Sequence, residues 1–212
     1  TVDGLFGAGD ALGGTAHAFS SGSFTEGRLA AKAAVKYCRD YAKDDLQVSE
    51  KQCEDLREMV YKPMAHYETY RNEIVGGTVS PHYILPIHGL QRLEKLMDEY
   101  AGGITVNYMT NEPLLKRGLE LLATLQEDLE CIGAEDLHQL QRAWELKHRT
   151  IASECVVHHT LFRKETRWPG YYYRGDHMKL DDENWHALTV SRRDPESGEW
   201  SLEKAPLYHI VD

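Results

Sequence analysis

The sequence predicts a mainly α-helical fold: a helical bundle, with a glycine-rich segment before it and a small β-hairpin after it. Apolar residues recur at helical spacing through residues 45–163, which predicts consecutive helices joined by short loops. Seven glycines among the first 27 residues interrupt this pattern at the start of the chain. After residue 164 the periodicity fails, and two strand-like runs flank a turn. We therefore divide the chain into segments 1–44, 45–163 and 164–212, of which the middle one is the bundle.

Composition and charge argue against several classes of function. The chain has 24 Lys and Arg residues against 34 Asp and Glu residues, a net charge of −10 that argues against general nucleic-acid binding, which needs basic residues to neutralise phosphates. No apolar run approaches the roughly 20 residues that cross a bilayer, and no signal-peptide pattern opens the chain, so we expect a cytoplasmic protein without a membrane span. The four cysteines, Cys38, Cys53, Cys131 and Cys155, are too scattered for a disulfide scaffold or a metal-binding knuckle.

Helical periodicity predicts five helices along the chain. Their expected ranges are about 24–44, 49–72, 90–100, 111–133 and 135–163. Pro63 lies inside the second helix, where we expect a kink or a break because proline lacks the amide N–H and crowds the preceding turn. A strand over about 185–193 and a partner strand over about 199–204 flank a turn at 194–198 and predict the C-terminal hairpin.

The glycine-rich start holds the first candidate binding residue. Leu5 and Phe6 are typical of a short apolar strand, and the turn that follows, residues 7–10, reads Gly-Ala-Gly-Asp. Glycine allows positive φ and a close approach of backbone to a ligand. The Asp10 carboxylate directly after such a turn can accept hydrogen bonds from the vicinal hydroxyls of a sugar or ribityl chain. The alternative interpretation is an unstructured chain end.

A helix start after this turn holds the second group of candidates. Ser23 and Glu26 form an S-x-x-E capping box, which predicts a helix N-terminus near Ser23. Free N–H groups and the positive end of the helix dipole then face whatever lies in front of residues 22–24. The pattern therefore indicates a place where an anion is stabilised.

A third segment, residues 165–185, is dense in aromatic, glycine and charged residues. Its aromatic run, Trp168–Arg174, has two interpretations. It lines a ligand or partner surface, or it is a loop that buried aromatic side chains hold over the bundle. The sequence alone leaves both open.

Two stretches carry a family resemblance. Residues 4–34 resemble the C-terminal FAD-binding signature of the fumarate reductase/succinate dehydrogenase flavoprotein superfamily, and they read GLFGAGDALGGTAHAFSSGSFTEGRLAAKAA. Residues 165–185 are similar to a late segment of the same superfamily and read ETRWPGYYYRGDHMKLDDENW. The particular spelling of HAFSSGSFTEGR and RWPGYYYR is similar to one branch of the superfamily, the alpha subunits of enzymes that reduce adenylyl sulfate.

This resemblance implies a set of flavin-binding positions. Asp10 matches the acidic residue that binds the ribityl region of the flavin, although most of the superfamily has Glu there. The helix start at residues 22–24 matches the one whose backbone N–H groups contact the carbonyl side of the isoalloxazine ring. The full set of implied FAD-binding residues is Gly9, Asp10, Ser21, Gly22, Ser23 and Phe24. No catalytic residue and no metal ligand is implied within the chain.

The loop before this helix departs from the fumarate reductases. Those enzymes carry an arginine there that binds the dicarboxylate, whereas residues 17–23 of this chain read HAFSSGS. The departure argues against a dicarboxylate substrate. Phe19 stands in that place and is the implied substrate-binding residue, which packs against a nucleotide or narrows the site above the flavin.

The resemblance also implies an activity, the two-electron interconversion of adenylyl sulfate with AMP and sulfite through FAD. Electrons arrive through an iron–sulfur beta subunit, and the scattered cysteines agree that its clusters lie in another chain. The superfamily's N-terminal dinucleotide fingerprint and capping domain have no counterpart in these residues. We therefore expect a C-terminal fragment of a longer flavoprotein that is inactive alone and binds FAD weakly or not at all. Two alternatives stay open: a fragment of a fumarate reductase or L-aspartate oxidase, and a helical interaction module without catalysis.

Overall fold

The structure, a computed structural model, describes residues 3–11, 20–41, 48–75, 80–167 and 170–207, and most of these residues are helical. The helices are α1 (Ser20–Tyr41), α2 (Glu50–Tyr70), α3 (Pro86–Tyr100), α4 (Glu112–Leu129), α5 (Leu137–Phe162) and the single turn α6 (Asp182–Trp185). The strands are β1 (Met109–Thr110), β2 (Tyr173–Arg174), β3 (Leu188–Arg193) and β4 (Trp200–Ala205). The mainly α-helical class predicted from the sequence is confirmed.

The chain forms two units, residues 1–53 and residues 54–212. In the second unit, α3, α4 and α5 pack around one apolar core. The buried side chains of that core are Leu93, Leu96, Leu115, Leu122, Leu125, Leu129, Ile132, Ala143, Leu146 and Val157. Gly89 of α3 faces this core: a Cβ there would lie 2.6 Å from Leu146 Cδ2 and 3.2 Å from Leu129 Cδ2. Glycine at this position thus allows α3 to approach its neighbours closely.

Side-chain caps explain where the two central helices begin. The Asn111 side chain accepts a hydrogen bond from the backbone N–H of Leu114 at 3.0 Å, before α4. The Asp136 carboxylate accepts one from the N–H of Gln139 at 2.7 Å, before α5. Each cap satisfies an N–H that has no partner inside its helix. Both starts lie within two residues of the predicted positions.

Pro63 does not break the second helix, so of the two expected effects, a kink or a break, the break is absent. α2 runs continuously from Glu50 to Tyr70, and Pro63 is buried within it. Carbonyls of the turn around the proline accept hydrogen bonds from elsewhere in the unit. Trp144 Nε1 donates to the Val60 carbonyl at 2.9 Å, and the Ala134 N–H donates to the Pro63 carbonyl at 3.0 Å. These long-range bonds hold the helix across a residue that would weaken it in isolation.

The predicted C-terminal hairpin is present, but β3 begins at Leu188 rather than at 185, because residues 182–185 form the helical turn α6. β3 and β4 pair antiparallel, with Leu188 opposite Ala205 and Arg193 opposite Trp200. Asp194 shapes the turn between them, because its carboxylate accepts hydrogen bonds from the backbone N–H groups of Glu196 and Ser197 at 3.0 and 2.7 Å. The sequence did not indicate the short parallel pair of β1 with β2.

A group of charged residues fastens the segment after α5 to the end of that helix. Arg174 is completely buried, and its Nη1 donates to the carbonyls of Thr160, Leu161 and Arg163, the last at 2.9 Å. Its Nε and Nη2 donate to the two carboxylate oxygens of Asp176 at 2.9 and 3.0 Å. The last carbonyls of a helix lack partners inside it and form the negative end of its dipole, which is where a guanidinium is stabilising.

Glu165 holds the other half of this arrangement. Its completely buried carboxylate accepts hydrogen bonds from Arg163, from Arg167 Nε at 2.7 Å, and from the backbone N–H of Asp181 at 2.9 Å. Arg167 also contacts Asp182 at 2.9 Å. We call the set Arg163, Glu165, Arg167, Arg174, Asp176, Asp181 and Asp182 the α5-end cluster.

The α5-end cluster bears on the two interpretations of the aromatic run, residues 168–174. Its described residues, 170–174, end in β2 and are fastened to the bundle through the charged side chain of Arg174. A role in lining a ligand or partner surface stays a prediction. Tyr171 is exposed, and Tyr172 contributes one hydrogen bond from its hydroxyl to the Glu165 carbonyl at 3.1 Å. Trp168 and Pro169 lie outside the described residues.

The cluster makes the stability of the second unit depend on acid pH. Hydrogen bonds from Arg174 lower the pKa of Asp176 from 3.8 to about 2. Since the folded-state pKa is depressed, the ionised carboxylate contributes its full stabilisation above about pH 4 and loses it as the pH falls toward 2. We expect urea unfolding to show a loss of stability in this window, and Asp176→Asn to make that loss smaller. The same loss in wild type and Asp176→Asn would contradict the assignment.

None of the helices in the described ranges combines the length and the apolar character that crossing a membrane requires.

Candidate functional site

In the first unit, the turn that ends in Asp10 lies against the start of α1. The N–H of Gly9 donates to Glu26 Oε2 at 2.7 Å. Gly9 is buried at φ +68°, and a Cβ there would lie 3.1 Å from Ser23 Oγ and 3.2 Å from Ser23 Cβ. The structure therefore brings together the turn and the helix start, the two groups of candidates that the sequence separates by more than ten residues.

The helix start itself differs from the prediction. α1 begins at Ser20, so Ser23 lies inside the helix and is not its N-cap. Glu26, the other half of the expected capping box, binds the Gly9 N–H, which is 17 residues away in sequence. The described part of the helix therefore starts with residues 20–23. The helix end predicted at Ser23 is not at that residue.

Leu5 and Phe6 do not form the expected strand. Residues 5–8 have no regular structure, and the Phe6 ring packs edge-on against the Tyr37 ring of α1 with centroids 6.0 Å apart. The apolar pair holds the turn to the helix through side chains, and a strand partner is not needed for this.

A groove runs along the first turns of α1. It has a volume of about 490 Å³ and is lined by Ser20, Ser23, Phe24, Gly27 and Arg28. Phe24 is 80% exposed, and a Cβ on Gly27 would meet no atom within 4 Å. The groove thus offers one aromatic wall, a floor without a side chain and one cation.

The predicted binding residues divide into those the structure places and those it does not. Gly9 is buried, Asp10 and Ser21 are exposed, and Gly22 and Ser23 are half-buried at the helix start. Phe19, the candidate for substrate binding, lies outside the described residues. Sequence reasoning missed the contact of Glu26 with Gly9, and it missed Arg28 in the groove. The S-x-x-E spacing marked Glu26 as a capping residue but could not reveal its partner, because the contact is long-range.

The chemistry of this donor set fits a planar, electron-accepting ring carrying a hydroxylated chain. An aromatic ring packs on an apolar wall such as Phe24. The dipole of a helix of 22 residues favours negative charge near its N-terminal end. Asp10 is exposed, and its carboxylate can accept hydrogen bonds from hydroxyl groups.

A second set of titratable groups lies where α5 meets the hairpin. His159 Nδ1 lies 3.0 Å from Thr189 Oγ1, and the His158 ring is tilted over Trp200 with centroids 5.4 Å apart. Burial lowers the pKa of both histidines. These contacts fasten the hairpin to the helix. Within the described ranges, no group of three or more His, Cys, Asp or Glu residues is arranged to hold a metal ion.

The chain matches a known protein family. The model of the fumarate reductase flavoprotein C-terminal family matches residues 90–210. The chain belongs to this family, and the superfamily expected from the sequence is confirmed.

Individual relatives point to one branch of that superfamily. The chain is 38% identical over 211 residues to the adenylylsulfate reductase subunit alpha of Megalodesulfovibrio gigas, a match that covers 100% of this chain and 32% of the relative. The structure is similar to that of adenylylsulfate reductase from Archaeoglobus fulgidus, with 50% identity, a TM-score of 0.91, and coverage of 97% of this chain and 32% of that one. The same values hold for an adenosine-5-phosphosulfate reductase in complex with sulfite, described as a covalent adduct. The chain therefore spans about a third of the length of these relatives.

Proposed function

We propose that these residues are the C-terminal part of a flavoprotein subunit that interconverts adenylyl sulfate with AMP and sulfite. Residues 1–44 are the tail of its FAD-binding domain, residues 45–163 its helical bundle and residues 164–212 its C-terminal segment. One observation carries the proposal: the 50% identity to the Archaeoglobus fulgidus reductase extends over 97% of the chain, so it includes both the glycine-rich start and the bundle. A shared bundle alone would indicate only the superfamily.

In this proposal, FAD is held by Gly9, Asp10, Ser21, Gly22, Ser23 and Phe24. When bound, FAD supplies the two-electron chemistry of the reaction. The backbone N–H groups of residues 22–24 would donate hydrogen bonds to the ring, and the positive end of the helix dipole would favour its reduced, anionic state. The Asp10 carboxylate would accept hydrogen bonds from the ribityl hydroxyls.

The substrate and partner follow from the same similarity. Phe19 replaces the arginine that binds a dicarboxylate in fumarate reductases, so we place the nucleotide of adenylyl sulfate or AMP against it. An iron–sulfur beta subunit delivers the electrons. Consistent with clusters in another chain, the four cysteines of this chain are separate free thiols on different elements.

The exposed surface of α1 supports a place within a longer protein. All 22 residues of α1 are described, and none is buried. Leu29, Val35 and Tyr41 are exposed along its length. A helix in a protein gains most of its stability from packing an apolar face, so we infer that α1 packs against further parts of a longer protein.

The experiment that tests the function uses the intact protein containing these residues. We expect it to carry FAD and to reduce ferricyanide in the presence of AMP and sulfite, with no reduction of fumarate by a reduced viologen dye. Activity with fumarate and none with AMP and sulfite would assign the chain to a dicarboxylate enzyme. Absence of both activities and of FAD would favour the alternative interpretation, a helical interaction module without catalysis.

Asp10→Ala in the intact protein should weaken FAD binding by about 10- to 100-fold, since a hydrogen bond to a charged group contributes about 1.5–3 kcal/mol. The measurement is the fluorescence of FAD released on dilution. Asp3→Ala is the matched control, because Asp3 is also an exposed carboxylate of the first unit. Equal FAD retention in the two variants would remove Asp10 from the site.

Gly9→Ala should also reduce FAD retention, by roughly tenfold. Its φ of +68° costs an L-residue about 1–2 kcal/mol, and its Cβ would press on Ser23 at 3.1–3.2 Å, moving the turn off the helix. Gly170→Ala is the control for backbone strain alone. Gly170 also has a positive φ, +93°, but an added Cβ there would meet no atom within 4 Å. We expect Gly170→Ala to keep FAD, and a loss equal to that of Gly9→Ala would contradict the role of the contact with Ser23.

A further inference from the structure

The contact between Glu26 and Gly9 joins the two halves of the candidate flavin site. Gly9 N and Glu26 Oε2 are 2.7 Å apart, in a partly buried position. A hydrogen bond to an ionised carboxylate is roughly twice as strong as one between neutral groups. The bond therefore fixes the loop to the helix at a point where both elements contribute candidate FAD-binding residues.

The position of Gly9 makes this bond decisive for Asp10. The backbone at Gly9 adopts φ +68°. A glycine can also adopt several other backbone conformations at little energetic cost. The bond to Glu26 and the packing on Ser23 select one of them. Because Asp10 directly follows Gly9, the direction in which its carboxylate leaves the turn depends on that selection.

The charge of Glu26 has a separate consequence. Glu26 lies in the second turn of α1, four residues after Gly22, near the end of the helix that its dipole makes positive. A carboxylate at this end offsets part of the positive potential of the helix dipole. The site therefore combines a helix end that favours a reduced, anionic ring with the carboxylates of Asp10 and Glu26, which oppose it.

We propose that Glu26 is a positioning residue of the flavin site, and this inference rests on the proposed function. Through Gly9 it orients Asp10 toward the ribityl chain, and through its charge it lowers the reduction potential of the bound flavin. The two roles separate chemically, because a glutamine keeps the hydrogen-bond acceptor for Gly9 and removes the charge.

The test compares Glu26→Ala and Glu26→Gln in the intact, FAD-loaded protein. We expect Glu26→Ala to weaken FAD binding by about tenfold or more. Glu26→Gln should keep FAD within about twofold of wild type and shift the midpoint potential of the flavin, measured by spectroelectrochemistry, to a more positive value. Asp40→Asn is the control, because it removes one charge from the far end of the same helix and should change neither quantity.

Several outcomes would overturn the inference. Wild-type FAD affinity in Glu26→Ala would remove the positioning role. An unchanged potential in Glu26→Gln would show that Glu26 is merely structural, and this variant stays informative even where Glu26→Ala does not fold. A wild-type protein that holds FAD but lacks activity with AMP and sulfite would refute the proposed substrate while leaving both readouts on Glu26 intact. A wild-type protein without FAD would overturn both proposals.

Discussion

Arg174→Ala should lower the free energy of unfolding of the second unit by about 3–5 kcal/mol, the range found when one partner of a buried ion pair is removed. The substitution leaves the Asp176 carboxylate without its bidentate partner. It also leaves the carbonyls of Thr160, Leu161 and Arg163 at the end of α5 without their donor. Arg174→Lys should lose less, because an ammonium keeps the charge but cannot reach both Asp176 and the carbonyls with one planar group.

Urea unfolding followed by tryptophan fluorescence measures this loss in the relevant unit, since all four tryptophans lie within residues 54–212. Arg92→Ala is the matched control: Arg92 also pairs with a carboxylate, Asp128 at 2.6 Å, but its side chain is 48% exposed. An exposed pair contributes about 0–1 kcal/mol. Equal losses in the two variants would show that the burial of Arg174 contributes nothing.

Leu122→Ala should cost about 2.7–5 kcal/mol, through lost apolar transfer and the cavity left in the core. Leu122 is completely buried on α4, where α3, α4 and α5 meet. Leu137→Ala removes the same atoms from a largely exposed position at the start of α5 and should change the unfolding free energy by less than about 0.5 kcal/mol. The same urea titration measures both, and a loss below about 1 kcal/mol for Leu122→Ala would contradict the assignment of the core.

The periodic part of the sequence was sufficient to predict α4, α5 and the part of α3 from residue 90 onward, although α3 begins earlier, at Pro86. Their apolar residues recur at helical spacing, and Asn111 and the region of Asp136 mark their starts by local capping chemistry. The hairpin was equally predictable, because its turn residues are local to it. These features depend on interactions between residues a few positions apart, and sequence patterns reflect interactions over that range.

The rest depends on contacts between distant residues. The predicted helix start near Ser23 depended on a capping box with Glu26, whereas Glu26 accepts a hydrogen bond from the N–H of Gly9, 17 residues away in sequence. Pro63 stays inside a continuous helix. The side chain of Trp144, 81 residues later in sequence, donates a hydrogen bond to a carbonyl of the neighbouring turn. In the candidate site, the residue types were predictable from the glycine-rich motif, whereas their juxtaposition required the bond between Gly9 and Glu26.

The contacts of Arg174 and Glu165 bear on what residues 165–185 indicate about the class of enzyme. The late segment resembles the superfamily in the motifs ETR and RGD. The charged residues of these motifs form hydrogen bonds with one another and with the end of α5. These contacts belong to the scaffold. The charged residues therefore indicate the superfamily, whereas the branch is indicated by the glycine-rich start and by the aromatic run RWPGYYYR between them.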